Sequence, residues 1–260
     1  MKCREVMEFL RELAPEATAQ SWDNVGLLVG REDKDVLKVM TALDATEGVI
    51  DQAIAWGADL LVTHHPMIFS PVKRVVWEEL VGHKIIKLIR ADISYFAMHT
   101  NCDACVMAEE AADKIGLTET VMLEESPAAG PEGAPCGIGR AGILAREMTL
   151  RELCELVKEA FAIDTVRLIG DPEQRVTRAA LSTGSGKSMV KFAKRAGSEV
   201  LISGDLDHHC VIDALDEGLA LIDAGHYGTE RFVAYTLANA LASLELEVKV
   251  AQEKSPYQYI

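Results

Sequence analysis

The chain has 260 residues, 49% of them hydrophobic, which suffices for real hydrophobic cores and excludes a disordered polymer. Its net charge of −15, from 26 basic and 41 acidic residues, repels phosphate backbones on average, disfavours nucleic-acid binding and concentrates cations near the surface. No apolar run approaches the roughly 20 residues that cross a bilayer, so no membrane partner is expected.

Met1-Lys2-Cys3-Arg4-Glu5 leads into a helical pattern with Val6, Phe9, Leu10 and Leu13 apolar. Acidic residues interrupt it, which argues against a secretory signal and makes the cytoplasm the expected location. Six cysteines are scattered along the chain, and without a secretion signal they are expected to be reduced thiols. Residues 36–43 read as a strand and 47–56 as a helix closed by Gly57. Residues 59–63 (DLLVT) make a short apolar strand of the kind buried on both faces. Helix 78–91, strand 93–98 and helix 104–115, closed by Gly116, follow. Between 124 and 139 prolines and glycines concentrate, so this stretch is a linker or a long loop. Beyond it come strands 140–145, 165–169, 177–181, 200–203, 219–223 and 246–250, with helices 150–161, 187–196 and 229–243. This alternation predicts an α/β fold of two lobes, with mostly parallel sheets covered by helices.

Six of the seven histidines fall in three short clusters. Thr63-His64-His65-Pro66 follows the apolar strand, and His99-Thr100-Asn101-Cys102-Asp103 follows strand 93–98. Asp205-Leu206-Asp207-His208-His209 is the third, with Ala224-Gly225-His226-Tyr227-Gly228-Thr229-Glu230 soon after. Each lies at the carboxyl end of a predicted strand, where ligands gather in open α/β sheets. His226 and Glu230 are four apart at a helix start and point to one side. His64 and His65 are adjacent in chain that Pro66 keeps extended, so they diverge and can serve two different ions. Asp103 can face the same edge, and a carboxylate such as Glu230 can bridge two ions. These five residues are the expected ligands of two divalent metal ions. A donor set of imidazole and carboxylate without thiolate suits zinc, manganese, iron, cobalt or nickel more than magnesium alone. Two dications with two carboxylates leave a net positive site that lowers the pKa of bound water. Ligands from both chain ends make the first lobe discontinuous: 1–125 with 205–260 is the expected metal-binding lobe, and 126–204 the second.

These residues resemble a known family, the dinuclear metal-centre proteins labelled GTP cyclohydrolase I type 2 homologs. Ser21-Trp22-Asp23-Asn24-Val25-Gly26-Leu27, Thr63-His64-His65-Pro66-Met67-Ile68-Phe69, the HTN-x-D stretch from His99 to Asp103, and Gly225-His226-Tyr227-Gly228-Thr229-Glu230 look like its motifs, in order along nearly the whole chain. The resemblance implies metal ligands at His64, His65, Asp103, His226 and Glu230, with Glu230 bridging. It also implies a two-lobed α/β fold and ring-like homo-oligomers, commonly hexamers. Some relatives carry an extra central domain, which a chain of this length with a short linker is expected to lack. Cys102 stands where an aliphatic residue is common, and Lys187 where relatives tend to have glycine.

Gly184-Ser185-Gly186-Lys187-Ser188 looks like the end of a phosphate loop, but position 181 is Leu where a true one needs glycine. The stretch lies between a strand and a helix, so it is either a phosphate-holding turn, with Lys187 binding a phosphorylated or nucleotide ligand, or an ordinary tight turn. Cys102-Asp103-Ala104-Cys105 has CxxC spacing without a second pair, and reads as two ordinary thiols. His99, which leads the Asp103 loop, is the expected proton carrier, and Glu230 the expected catalytic carboxylate. Two functions follow as expectations. One is a metal-dependent hydrolase acting on a nucleotide or related heterocycle, the substrate class resting on the resemblance alone. The other is a non-catalytic, regulatory or chaperone-like metal-binding oligomer.

Overall fold

A computed structural model describes residues 1–258. The chain divides into two compact units, Met1–Cys102 with the chain from Arg231 on, and Asp103–Glu230. The first unit is discontinuous, but its limits differ from those read from the sequence, which put the second lobe at 126–204. The second unit is larger because strands on both sides of that interval hydrogen-bond into its sheet. No helix among the described residues is long and apolar enough to cross a membrane.

The first unit contains β1 (Gly26–Val29), β2 (Lys38–Ala42), β3 (Leu60–Thr63), β4 (Ser94–Ala97) and the late strand Glu247–Val250. They form one sheet in the order β1, β4, β3, β2, Glu247–Val250. All its pairings are parallel except that of β1 with β4. Parallel neighbours need long crossovers. Helix Glu47–Trp56 provides one between β2 and β3, and Leu80–Arg90 provides one between β3 and β4. The first of these starts where the Thr46 side chain accepts from the Val49 amide and ends at Gly57, whose φ of 73° suits glycine. Every residue of β3 is buried, as its apolar sequence implies. Met40, Ile50, Leu61, Leu88 and Tyr95 are among the residues of the core. β1 is absent from the sequence reading: it is four residues long, at a sheet edge, and its middle is only half-buried.

The second unit contains β5 (Thr118–Glu125), β6 (Gly137–Thr149), β7 (Arg167–Ile169), β8 (Arg175–Ser185), β9 (Val200–Gly204) and β10 (Ala220–Asp223). Their order is β5, β6, β8, β9, β10, β7. β8, β9 and β10 run parallel; the other three pairings are antiparallel. The fold is thus α/β with two sheets, the first mostly parallel and the second mixed. The proline- and glycine-rich stretch is the long loop of the β5–β6 hairpin, not a linker between lobes. Helix Leu150–Phe161 opens on a reciprocal cap, in which Thr149 accepts from the Glu152 amide and Glu152 accepts from the Thr149 amide. The helix expected over 229–243 is instead two, His226–Glu230 and Val233–Leu241. Their break coincides with the passage from one unit to the other, where a continuous apolar period does not reveal that two different cores are being covered.

Candidate metal centre

In the first unit the carboxyl ends of β3 and β4 carry three histidines. His64 is fully buried, and its Nδ1 lies 2.8 Å from the Met98 carbonyl. A carbonyl only accepts, so Nδ1 carries the proton and the lone pair is on Nε2. His65 repeats the arrangement, with Nδ1 2.9 Å from Asp44 Oδ1, just beyond β2. The turn that presents both rings is clamped from beneath. The Met67 amide donates to the Tyr95 hydroxyl at 2.8 Å, and the Thr63 and Tyr95 hydroxyls donate to the His65 carbonyl at 2.8 and 3.0 Å. Burial pushes the Tyr95 phenol up to about 12, so it stays a donor.

His99 follows β4, and its Nδ1 lies 2.8 Å from Asp23 Oδ1. The other Asp23 oxygen accepts from the Thr100 amide at 3.0 Å and from the Thr100 hydroxyl. Burial works against this carboxylate, but the His99 hydrogen bond and charge, with the Thr100 bonds, outweigh it and hold its pKa at about 2. The His64, His65 and His99 rings stand 5.0–5.5 Å apart, centroid to centroid. One nitrogen of each lies within 4.8 Å of the others, a group that can hold a metal ion.

In the second unit β9 and β10 end beside the other donors. His226 Nδ1 lies 2.7 Å from Asp205 Oδ2, and His226 Nε2 lies 2.9 Å from the buried Glu230 carboxylate. The four-residue spacing within one short helix produces this pairing. Asp103 opens a single π-helical turn, Asp103–Met107, and one of its carboxylate oxygens lies within 4.8 Å of one from Glu230. π turns of this kind recur at functional sites. Gly184, at the end of β8, closes the cradle. A Cβ added there would meet Glu230 Oε1 at 2.0 Å and His226 Nε2 at 3.3 Å. The Gly184 amide is fixed to the Thr229 hydroxyl at 3.0 Å.

His64, His65 and His99 therefore each have Nδ1 engaged and the lone pair on Nε2, while His226 faces a carboxylate from each ring nitrogen, Asp205 at Nδ1 and Glu230 at Nε2. The donors are imidazole nitrogen and carboxylate oxygen, a set that fits a divalent first-row ion. Asp44 is missing from the sequence reading, and Asp205 and Gly184 appear there without these roles. The two aspartates hold their histidines from 21 positions away, and no local pattern signals such a bond. Gly184 lies in the stretch read for phosphate. There Lys187 instead pairs with Asp207 at 2.6 Å, which raises the lysine pKa, and the Gly186 amide is taken by the Gly204 carbonyl at 2.9 Å. His208 and His209 are exposed and belong to no metal-donor group among the described residues.

Comparison with known proteins agrees with the motifs. The family model described as Duf34/NIF3 (NGG1p interacting factor 3) matches residues 1–256. A Clostridium perfringens protein named GTP cyclohydrolase 1 type 2 homolog is 32% identical over the whole of both chains. A Clostridium acetobutylicum protein of the same name is 36% identical over 88% of this chain and 85% of its own. The crystal structure of the Staphylococcus aureus protein SA1388 superposes with a TM-score of 0.89 at 30% identity, covering 100% of this chain and 99% of that one. With a match along almost its entire length, and relatives at this identity, the chain belongs to the DUF34/NIF3 family.

Proposed function

We propose that this protein is a dinuclear metal-dependent hydrolase acting on a nucleotide or related heterocycle, with His64, His65, Asp103, His226 and Glu230 as ligands and Glu230 bridging. The observation that carries the reading is that His64, His65 and His99 have their Nδ1 atoms engaged by acceptors, which puts a lone pair rather than an N–H on each Nε2 in a group that can hold an ion. The glycine cradle around a buried carboxylate supports it, since a Cβ there would displace the proposed bridge. Bound divalent ions would supply an activated water at neutral pH and positive charge for the developing anion.

The rest is the work of side chains. Asp44 and Asp205 orient their histidines and raise the basicity of the Nε2 atoms. His99 keeps its Nδ1 proton against Asp23, so Nε2 is the atom that takes up and returns a proton, as in other Asp–His pairs. Buried Tyr95 holds the His64–His65 turn in place. The substrate class follows from the names of the relatives, and the protein is proposed to work in the cytoplasm as a ring-like homo-oligomer, a hexamer by family resemblance. Elemental analysis of reloaded protein and a turnover panel that includes GTP test the proposal, with Glu230→Ala as the control. Two ions per chain and turnover abolished by the substitution are expected. Stoichiometric metal without turnover of any substrate would favour the non-catalytic metal-binding oligomer, and absence of metal after reloading would refute both.

A further inference from the structure

We propose that Trp22 and Phe69 form a stacking subsite for a planar heteroaromatic ring, placing that ring beside His99. Both side chains are more than half exposed, at 58% and 53%, although each is large and apolar. Exposed aromatics grouped on a polar rim mark recognition sites. The Trp22 and Phe69 centroids lie 5.8 Å apart with their planes inclined at 52°, so they cannot sandwich a ring between them; they make a corner. His99 completes it, 6.0 Å from Trp22 and 6.4 Å from Phe69, nearly perpendicular to both. A flat ring laid on the indole face therefore meets the phenyl as a wall and comes next to the imidazole.

The corner is exposed yet held. Asp23, next to Trp22, is tied through both carboxylate oxygens to His99 and Thr100. Asn24 donates its side-chain amide to the Ile68 carbonyl at 2.6 Å, which joins the loop of Trp22 to the loop of Phe69. The Asp23 amide is itself bound to the Gln20 carbonyl at 2.9 Å. Aromatics that merely covered each other would not need their two loops stapled together; a preorganised platform loses less entropy when a ring lands on it. Stacking on an aromatic face tolerates many rings, because each presents a π surface, so the subsite selects planarity rather than one base.

This inference rests on the proposed function for the reacting centre beside it, and its test separates the two. Full-length, metal-loaded protein is titrated with GMP, FMN and ribose 5-phosphate by calorimetry, with saturation-transfer NMR to report which protons approach the protein. GMP or FMN is expected to bind at least tenfold tighter than the sugar phosphate, which has no aromatic ring, with strongest transfer to aromatic protons. Trp22→Ala and Phe69→Ala should each weaken ring binding about tenfold, while Trp22→Phe restores most of it and metal content stays at the wild-type level. Ring selectivity in a protein that takes up no metal would refute the hydrolase and leave the subsite standing. Equal affinity for probes with and without an aromatic ring would overturn the subsite. So would wild-type ring affinity in Trp22→Ala, including the case in which that variant instead changes oligomer size and so marks the face as a contact between copies.

Discussion

Replacing Gly184 with alanine tests the metal centre at one atom. The new Cβ would arrive 2.0 Å from Glu230 Oε1, whereas real Cβ contacts are essentially never under 3.0 Å. The obstacle is the far end of a flexible side chain, so the carboxylate yields rather than the fold, by about 1 Å or more. A metal site tolerates displacements of only about 0.5 Å. Disturbing a supporting shell typically costs about 10–100-fold in metal affinity, and moving a ligand oxygen itself should reach the upper end. The backbone adds a second, separable cost, because φ is +65° at this glycine and a side chain there is strained by about 1 kcal/mol. Gly57 provides the control: its φ is +73°, and a Cβ there meets nothing within 4 Å. Both alanine variants should lose about 1 kcal/mol of apo-protein stability, a melting shift of roughly 2–4 °C for a chain of this size. Only Gly184→Ala should lose metal, measured by calorimetric titration and elemental analysis. Wild-type metal affinity and stoichiometry in Gly184→Ala would refute the geometry on which the centre is built.

His64→Ala should abolish metal uptake, while His99→Ala should keep the metal and lose turnover; loss of metal from the latter would make His99 a ligand rather than a proton carrier. Tyr95→Phe removes the hydroxyl that receives the Met67 amide, leaving that amide without this partner and the His65 carbonyl with the Thr63 hydroxyl alone of the two. The expected costs are about 1–3 kcal/mol in denaturant unfolding and weaker metal binding; an unchanged melt would show that the clamp is idle. Asp23 has a folded-state pKa of about 2, below its ordinary 3.8. Its contribution is therefore fully present above about pH 4 and is lost as pH falls through 2. The stability difference between wild type and Asp23→Asn, followed by thermal melts, should shrink across that window, and a difference constant from pH 6 to 2 would contradict it.

Much of the site could be read in the linear chain because its donors follow short buried strands. The run Leu60–Thr63 is apolar without interruption, which marks a strand covered on both faces and puts His64 at its carboxyl edge. His226 and Glu230 needed only helical spacing. The Thr149–Glu152 cap and Gly57 mark helix ends through local hydrogen bonding and a single dihedral angle, so they too are visible in a few residues.

Tertiary structure decided the rest. The pairing of β5 with β6, and of β6 with β8, assigns residues 118–125 to the second unit, although hydrophobic period alone does not say which sheet a strand joins. The break after Glu230 is silent for the same reason: an apolar stripe records that a face is covered, not by which core. The partners that orient the imidazoles, Asp23 for His99 across 76 positions, Asp44 for His65 and Asp205 for His226, meet their histidines only once the strand order within each sheet has brought different loops together. Residue chemistry along the chain thus determined which atoms can bind a cation. The folded backbone determined their tautomers, their neighbours and the space around Glu230, because those depend on distances between residues that share no local period.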